Sequence, residues 1–131
     1  MVFENEHVVR LELKLGTQNF TFFFLYFPPY KSIDKDCVEF FNRLDPIIAH
    51  EDIVVLGDMN ARLGNENTDV DSRNSKDLKT NPRGQLILNK LRWLGLRIAN
   101  GGLNGDVEGE SHLYTETVNV LVQLTFVFIE G

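Results

Sequence analysis

The densest chemistry in the sequence lies in Val55-Leu56-Gly57-Asp58-Met59-Asn60-Ala61-Arg62-Leu63. An apolar run ends, a glycine frees the backbone, and a carboxylate and a carboxamide follow two residues apart. A carboxylate so placed can take a proton from water, while a nearby amide orients that water or a phosphate oxygen. Ligands of open α/β sheets collect beyond the carboxyl ends of strands, which is where Asp58 would stand. The same Gly-Asp-x-Asn string also suits an ordinary strand-ending turn, and its spacing alone does not separate the two readings.

The elements around this string must hold it in place. Ile53-Val54-Val55-Leu56 reads as a central strand buried on both faces. Upstream, Val9, Leu11, Leu13 and Leu15 alternate with Arg10, Glu12 and Lys14, the pattern of a half-buried strand with Glu12 on its wet face. Gly16-Thr17-Gln18-Asn19 has the length of a hairpin turn. The aromatic run Phe20 to Phe27 reads as a strand buried on both faces, stopped by Pro28-Pro29 because proline donates nothing to a ladder. Together they form a hairpin feeding the middle of a sheet.

Ser32 reads as a helix N-cap, with Asp34 and Asp36 in the first turn, where the helix dipole favours acids. Cys37, Phe40, Phe41, Leu44 and Ile48 then form one helical stripe, which Pro46 should kink or end about a turn before His50. Gly57 to Arg83 has almost no apolar periodicity, and a connection that long is functional or disordered. Helical spacing returns through Ile87, Leu91 and Leu94, with Gly95 as C-cap and Trp93 as a packing anchor. Leu96 to Ala99 is a short strand, Asn100-Gly101-Gly102 a turn, and Val118 to Ile129 one or two final strands. The order ββαβαββ indicates a mixed α/β sheet.

Composition bounds the partners. The chain has 131 residues, 43% of them hydrophobic, enough for a single domain with one core. Nineteen acids against thirteen bases give a formal charge of −6, which argues against binding nucleic acid through a basic face. Acids that hold a metal ion are compatible with that balance, because the ion supplies positive charge locally. One cysteine, Cys37, excludes a disulfide scaffold, and its place on the apolar stripe suggests an inert core thiol. No bilayer-spanning run and no secretory signal is visible.

Leu56-Gly57-Asp58-Met59-Asn60-Ala61-Arg62-Leu63-Gly64 resembles the Gly-Asp-x-Asn block of the endonuclease/exonuclease/phosphatase superfamily, in the version found in endonuclease domains of non-LTR retrotransposons. Further blocks agree in order. Leu25-Tyr26-Phe27-Pro28-Pro29 resembles the upstream Tyr-x-Pro-Pro. Arg73-Asn74-Ser75-Lys76-Asp77 and Asn81-Pro82-Arg83-Gly84 resemble the Arg-x-Ser-x-Asp and Asn-x-x-Gly that follow. Ile98-Ala99-Asn100-Gly101 and Gly105-Asp106 with Gly109 resemble the later turns.

The resemblance implies an α/β fold, part of a DNase I-like four-layer α/β sandwich with mixed β-sheets, and a metal-dependent phosphodiesterase or DNA endonuclease of retrotransposon origin. Magnesium or manganese would be its cofactor and DNA its partner; the sequence indicates no membrane, and no obligate protein partner can be inferred from it. The location would be intracellular, and nuclear if the retrotransposon reading holds. Residue by residue, Asp58 would activate water, Asn60 would steady the nucleophile or scissile phosphate, and Tyr26 would contact the phosphate. Arg62 and Arg73, in the polar loop, are candidate phosphate contacts.

The sequence also departs from the family. The metal-binding Glu and its Asn should stand on strands before Tyr26, but Glu4, Glu6 and Glu12 match no such motif. Thr125-Phe126 stands where an Asp-Tyr strand belongs, and no closing Asp-His follows. His7, His50 and His112 read as ordinary surface or turn histidines. The expectation is a shortened copy of the domain whose metal ligands are not identified. The alternative is a non-catalytic remnant, or an α/β module that binds nucleic acid or protein.

Overall fold

The computed structural model describes residues 2–64, 78–98 and 118–123, the last six and residues 2–3 by backbone alone. Six strands form one mixed sheet in the order β1-β2-β3-β4-β6-β5. They are β1 (Val2–Asn5), β2 (Val8–Leu15), β3 (Gln18–Tyr26), β4 (Asp52–Asp58), β5 (Arg97–Ile98) and β6 (Val118–Gln123). The helices are α1 (Asp34–Ile48) and α2 (Pro82–Leu94). The β2–β3 hairpin sits inside the sheet, as its pattern indicates, but β1 is an added edge strand. The turn is tighter than read, with β3 already under way at Gln18. β4 pairs parallel with β3 and antiparallel with β6, so it is central.

Both helices cover the same face of the sheet. Cys37, Phe40, Phe41 and Leu44 of α1 are buried, as are Ile87, Leu88, Leu91 and Leu94 of α2. They meet Val8, Phe23, Leu25, Ile53 and Val55 from the strands. The Phe40 ring stands edge-on to Phe23 at 5.3 Å and to Phe41 at 5.2 Å, an arrangement aromatic quadrupoles favour.

The opposite face corrects the reading of β2 and β3. Register partners point to the same side, and Val8 opposite Leu25 and Arg10 opposite Phe23 assign the even-numbered residues of β2 to the helix side. Arg10 and Glu12 therefore line the margin of the helix layer, where they pair with each other and Arg10 lies over Phe23. The apolar row Val9, Leu11, Leu13 and Leu15 lies on the open side, beside Phe20, Phe22, Phe24 and Tyr26 of β3. Leu15 is 64% and Phe24 39% exposed. Strand β3 is thus buried on one face only, and β4 likewise buries Ile53 and Val55 while Val54 and Leu56 stay partly open. Alternation revealed the strand but not which side the helices take.

Smaller differences have local causes. Ser32 lies inside a 3-10 turn, Lys31–Ile33, and Ile33 stands at the N-cap of α1 with no side-chain cap. Pro46 is carried within α1, which runs two residues past it to Ile48. Helix α2 begins at Pro82, where proline's missing N–H costs nothing, and the Asn81 carboxamide accepts from Gly84 N–H at 2.7 Å. Gly95 closes the helix at φ 71°, as read. Trp93 is 61% exposed beneath the Lys90 ammonium and so is not a packing anchor. The turns read at Asn100 and Gly105, His112, and 124–129 of the final strand lie outside the described residues.

Cys37 is the inert core thiol expected: burial pushes its pKa from 9.0 up to about 12, offset in part by the Arg83 charge. A thiol reagent is expected to leave the native chain unmodified and to label it fully in denaturant. The raised folded value favours the protonated native state. Its contribution to stability is therefore whole below pH 9.0 and drains away as pH rises toward about 12, which thermal melts across that range would register.

Candidate active site

Asp58 ends β4, and the parallel register pairs it with Tyr26, the last residue of β3. Alternation from the buried pair Phe23–Val55 puts both on the open face, side by side at the carboxyl ends of two central strands. Tyr26 is 53% exposed and Asp58 half-buried. Its Oδ1 accepts the Asn60 backbone N–H at 2.9 Å, closing a turn that orients the carboxylate. Asn60 sits at φ 50°, left-handed backbone that asparagine tolerates better than most side chains. Its Nδ2 donates to the Phe27 carbonyl at 2.9 Å, which ties the end of β4 to the segment after β3.

Gly57 lets these strand ends close. It adopts φ 140°, and a Cβ there would fall onto the Leu25 carbonyl oxygen. Gly84 serves the next loop similarly, since a Cβ there would fall onto the Arg62 carbonyl oxygen. Gly57→Ala is expected to cost at least about 2–3 kcal/mol, through strain and collision together, read as a lower urea midpoint.

Arg83 is the residue that sequence reading passed over, although it lies inside the Asn81–Gly84 block. It is 4% exposed and serves four acceptors. Its Nε donates to Asp34 Oδ1 at 2.7 Å, one Nη to Phe27 O and Met59 O at 3.3 and 2.9 Å, and the other to Tyr30 O at 2.7 Å. A planar guanidinium thereby fastens the segment after β3, the start of α1, the Asp58–Asn60 turn and α2 together. Beside it lies a cavity of about 250 Å³ lined by residues that include Lys31, Asp34, Asn60, Asn81 and Arg83. The available signal was one arginine beside an N-cap asparagine in an otherwise polar stretch.

Arg62 lies in the loop after Asn60. Its N–H donates to Asn81 Oδ1 at 3.1 Å and its carbonyl accepts from Asn81 N–H at 3.2 Å, so its backbone is fixed against the start of α2. Arg73 lies outside the described residues. His7, in the turn between β1 and β2, accepts the Tyr26 N–H on its carbonyl, with its ring 5.7 Å from that of Phe27. Glu4 is turned away from Asp58, bound to Arg10 and Arg43 on the helix side.

A hard divalent cation needs several oxygen donors held together. Among the described residues no group of three His, Cys, Asp or Glu side chains can hold a metal ion. Magnesium is commonly held by one or two carboxylates together with water and substrate phosphate, so Asp58 would be one ligand to such an ion and not a closed cage. No described helix is long and apolar enough to cross a membrane.

Neither a protein-family model nor a curated protein matches this sequence. Among solved structures, the chain is similar to the endonuclease domain of TRAS1, a telomere-specific non-LTR retrotransposon. The match has a TM-score of 0.61 at 20% identity and covers 88% of this chain. The chain spans 48% of that domain. At this identity the likeness shows the fold: a DNase I-like α/β architecture, of which the described residues form one mixed sheet and its helix layer.

Proposed function

We propose that this chain is a phosphodiesterase module of the retrotransposon-endonuclease type, directed at DNA. The observation that carries the reading is the register pairing of Tyr26 with Asp58 on the open face, with Asn60 locked beside them. In this reading Asp58, steadied through Oδ1, accepts the proton of a water on its other oxygen. The resulting hydroxide attacks phosphorus, the bond from phosphorus to a deoxyribose oxygen breaks, and that oxygen takes up a proton from solvent. The Tyr26 hydroxyl donates to a non-bridging phosphate oxygen, and Asn60 Oδ1 accepts from the attacking water. Arg62 would contact a flanking phosphate, and Arg73, outside the described residues, is a second candidate for that role. The similar fold suggests metal dependence in general, with magnesium or manganese as the ion to test.

The test is nicking of supercoiled plasmid by the purified chain with either ion, against Asp58→Ala under identical conditions. A metal-dependent excess that disappears in the variant supports the reading. A second reading is a non-catalytic module that binds nucleic acid or protein, since no cluster of three metal-ligating side chains is formed among the described residues. Equal nicking by the chain and its Asp58→Ala variant would select it.

A further inference from the structure

We infer that the cavity beside Asn60 is a subsite for a DNA backbone phosphate next to the one being cleaved, taken up with its deoxyribose. The inference rests on the DNA reading above, although its test reads binding and not cleavage. A donor count at Arg83 points to it. A guanidinium carries five N–H groups. Nε–H serves Asp34, one Nη serves Phe27 O and Met59 O, and the other serves Tyr30 O alone. One N–H of a side chain only 4% exposed therefore has no acceptor among the described residues, and Arg83 lines the cavity. A buried donor so placed calls for an acceptor.

The rest of the lining suits an anion. Asn81 Oδ1 is taken by the Gly84 and Arg62 N–H groups, so its amide offers a ligand the protons on Nδ2. Lys31 is exposed and adds an ammonium. Asp34 is the one carboxylate in the lining, and its Oδ1 is bonded to Arg83. Two cations against one carboxylate leave the lining net positive on a chain of −6. The cavity also lies at the start of α2, where the helix dipole favours negative charge. Phosphate oxygens accept from all three donors.

Size adds the sugar. A cavity of about 250 Å³ has room for more than a phosphate, and the exposed Pro29 and Pro82 give it apolar walls for a deoxyribose. Asn60 belongs both to this cavity and to the site at Asp58 and Tyr26. The phosphate held here therefore neighbours the scissile one along the strand.

Nuclear magnetic resonance titration of the isotope-labelled full chain with the dinucleotide thymidylyl-thymidine, inorganic phosphate and thymidine tests the proposal. The Arg83 Nε–H and Asn81 side-chain signals are expected to shift with the dinucleotide, less with phosphate at equal concentration, and not with thymidine. Lys31→Ala should weaken the dinucleotide about two- to fivefold. Pro82→Glu sets an acid in the first turn of α2, which the dipole accepts, and should weaken it by about fivefold or more. Lys14→Ala, which removes an exposed cation at the far end of β2, should change nothing. Absence of any shift, an equal shift with thymidine, binding of phosphate without the dinucleotide, or an equal loss in Lys14→Ala would overturn the subsite. Background nicking beside intact dinucleotide binding would remove the proposed reaction and leave the subsite. Asp58-dependent nicking without dinucleotide binding would do the reverse. If a variant fails to fold by far-UV circular dichroism, the titration of the unaltered chain still decides.

Discussion

Supercoiled plasmid incubated with this chain and magnesium or manganese is expected to be nicked at a rate close to background, with the small excess gone in Asp58→Ala. The geometry offers a base, an orienting amide and a phenol, but electrostatic stabilisation of the transition state is commonly the largest contribution to such a reaction. Among the described residues no cluster of three metal-ligating side chains is formed to hold the cation that would supply most of it. Losing one charge-stabilising group typically costs about 10²–10³ in turnover, and losing a metal's share costs more. Tyr26→Phe should lower the residual rate less than Asp58→Ala does, because it removes a phosphate contact and leaves the base. Robust nicking by the unaltered chain that disappears in Asp58→Ala would overturn this expectation.

The second large effect is expected at Arg83. Replacing it by methionine keeps much of its length but strands a carboxylate and three backbone carbonyls in a mostly enclosed setting. Breaking a buried ion pair from one side costs about 3–5 kcal/mol, a large fraction of the stability of a domain this size. Urea denaturation of Arg83→Met should show that loss. Arg83→Lys should regain less than half of it, since an ammonium does not reproduce the fork that reaches four acceptors. Full recovery with lysine would mean that charge alone, without geometry, matters at this position.

These two positions mark what was legible in the sequence. Asp58 could be found because a strand, a glycine and two turn-forming polar residues follow one another within nine positions. Arg83 could not, because its partners lie 24 to 56 residues away and no local pattern encodes them. The helical stripes were readable for the same reason as Asp58: Cys37, Phe40, Phe41 and Leu44 repeat at the helix period and all are buried. The faces of β2 were not. Period two states that a strand has two sides, and only the long-range placement of α1 and α2 decides which side they cover. Donors that distant strands would bring to a metal are long-range in the same sense, and no local pattern around Asp58 would reveal them.

The close approach at Gly57 has a consequence for how this site tolerates change. Every β3 residue from Phe20 to Tyr26 has a fixed partner on β4, and only a residue without a Cβ fits across from the Leu25 carbonyl. Gly57 is therefore a register lock: a slip by one position would place Leu56 or Asp58 against that oxygen. Because side chains alternate, the same slip would also turn Asp58 toward the helices while Tyr26 stayed on the open face. A single-residue insertion between Asp52 and Gly57 should thus be far more damaging than most substitutions there. An insertion of two would restore the facing but move the carboxylate about 7 Å along the strand. Length in this short segment is constrained more tightly than composition, and lineages that preserve the site should vary the apolar identities of Val54 and Leu56 long before they vary the count.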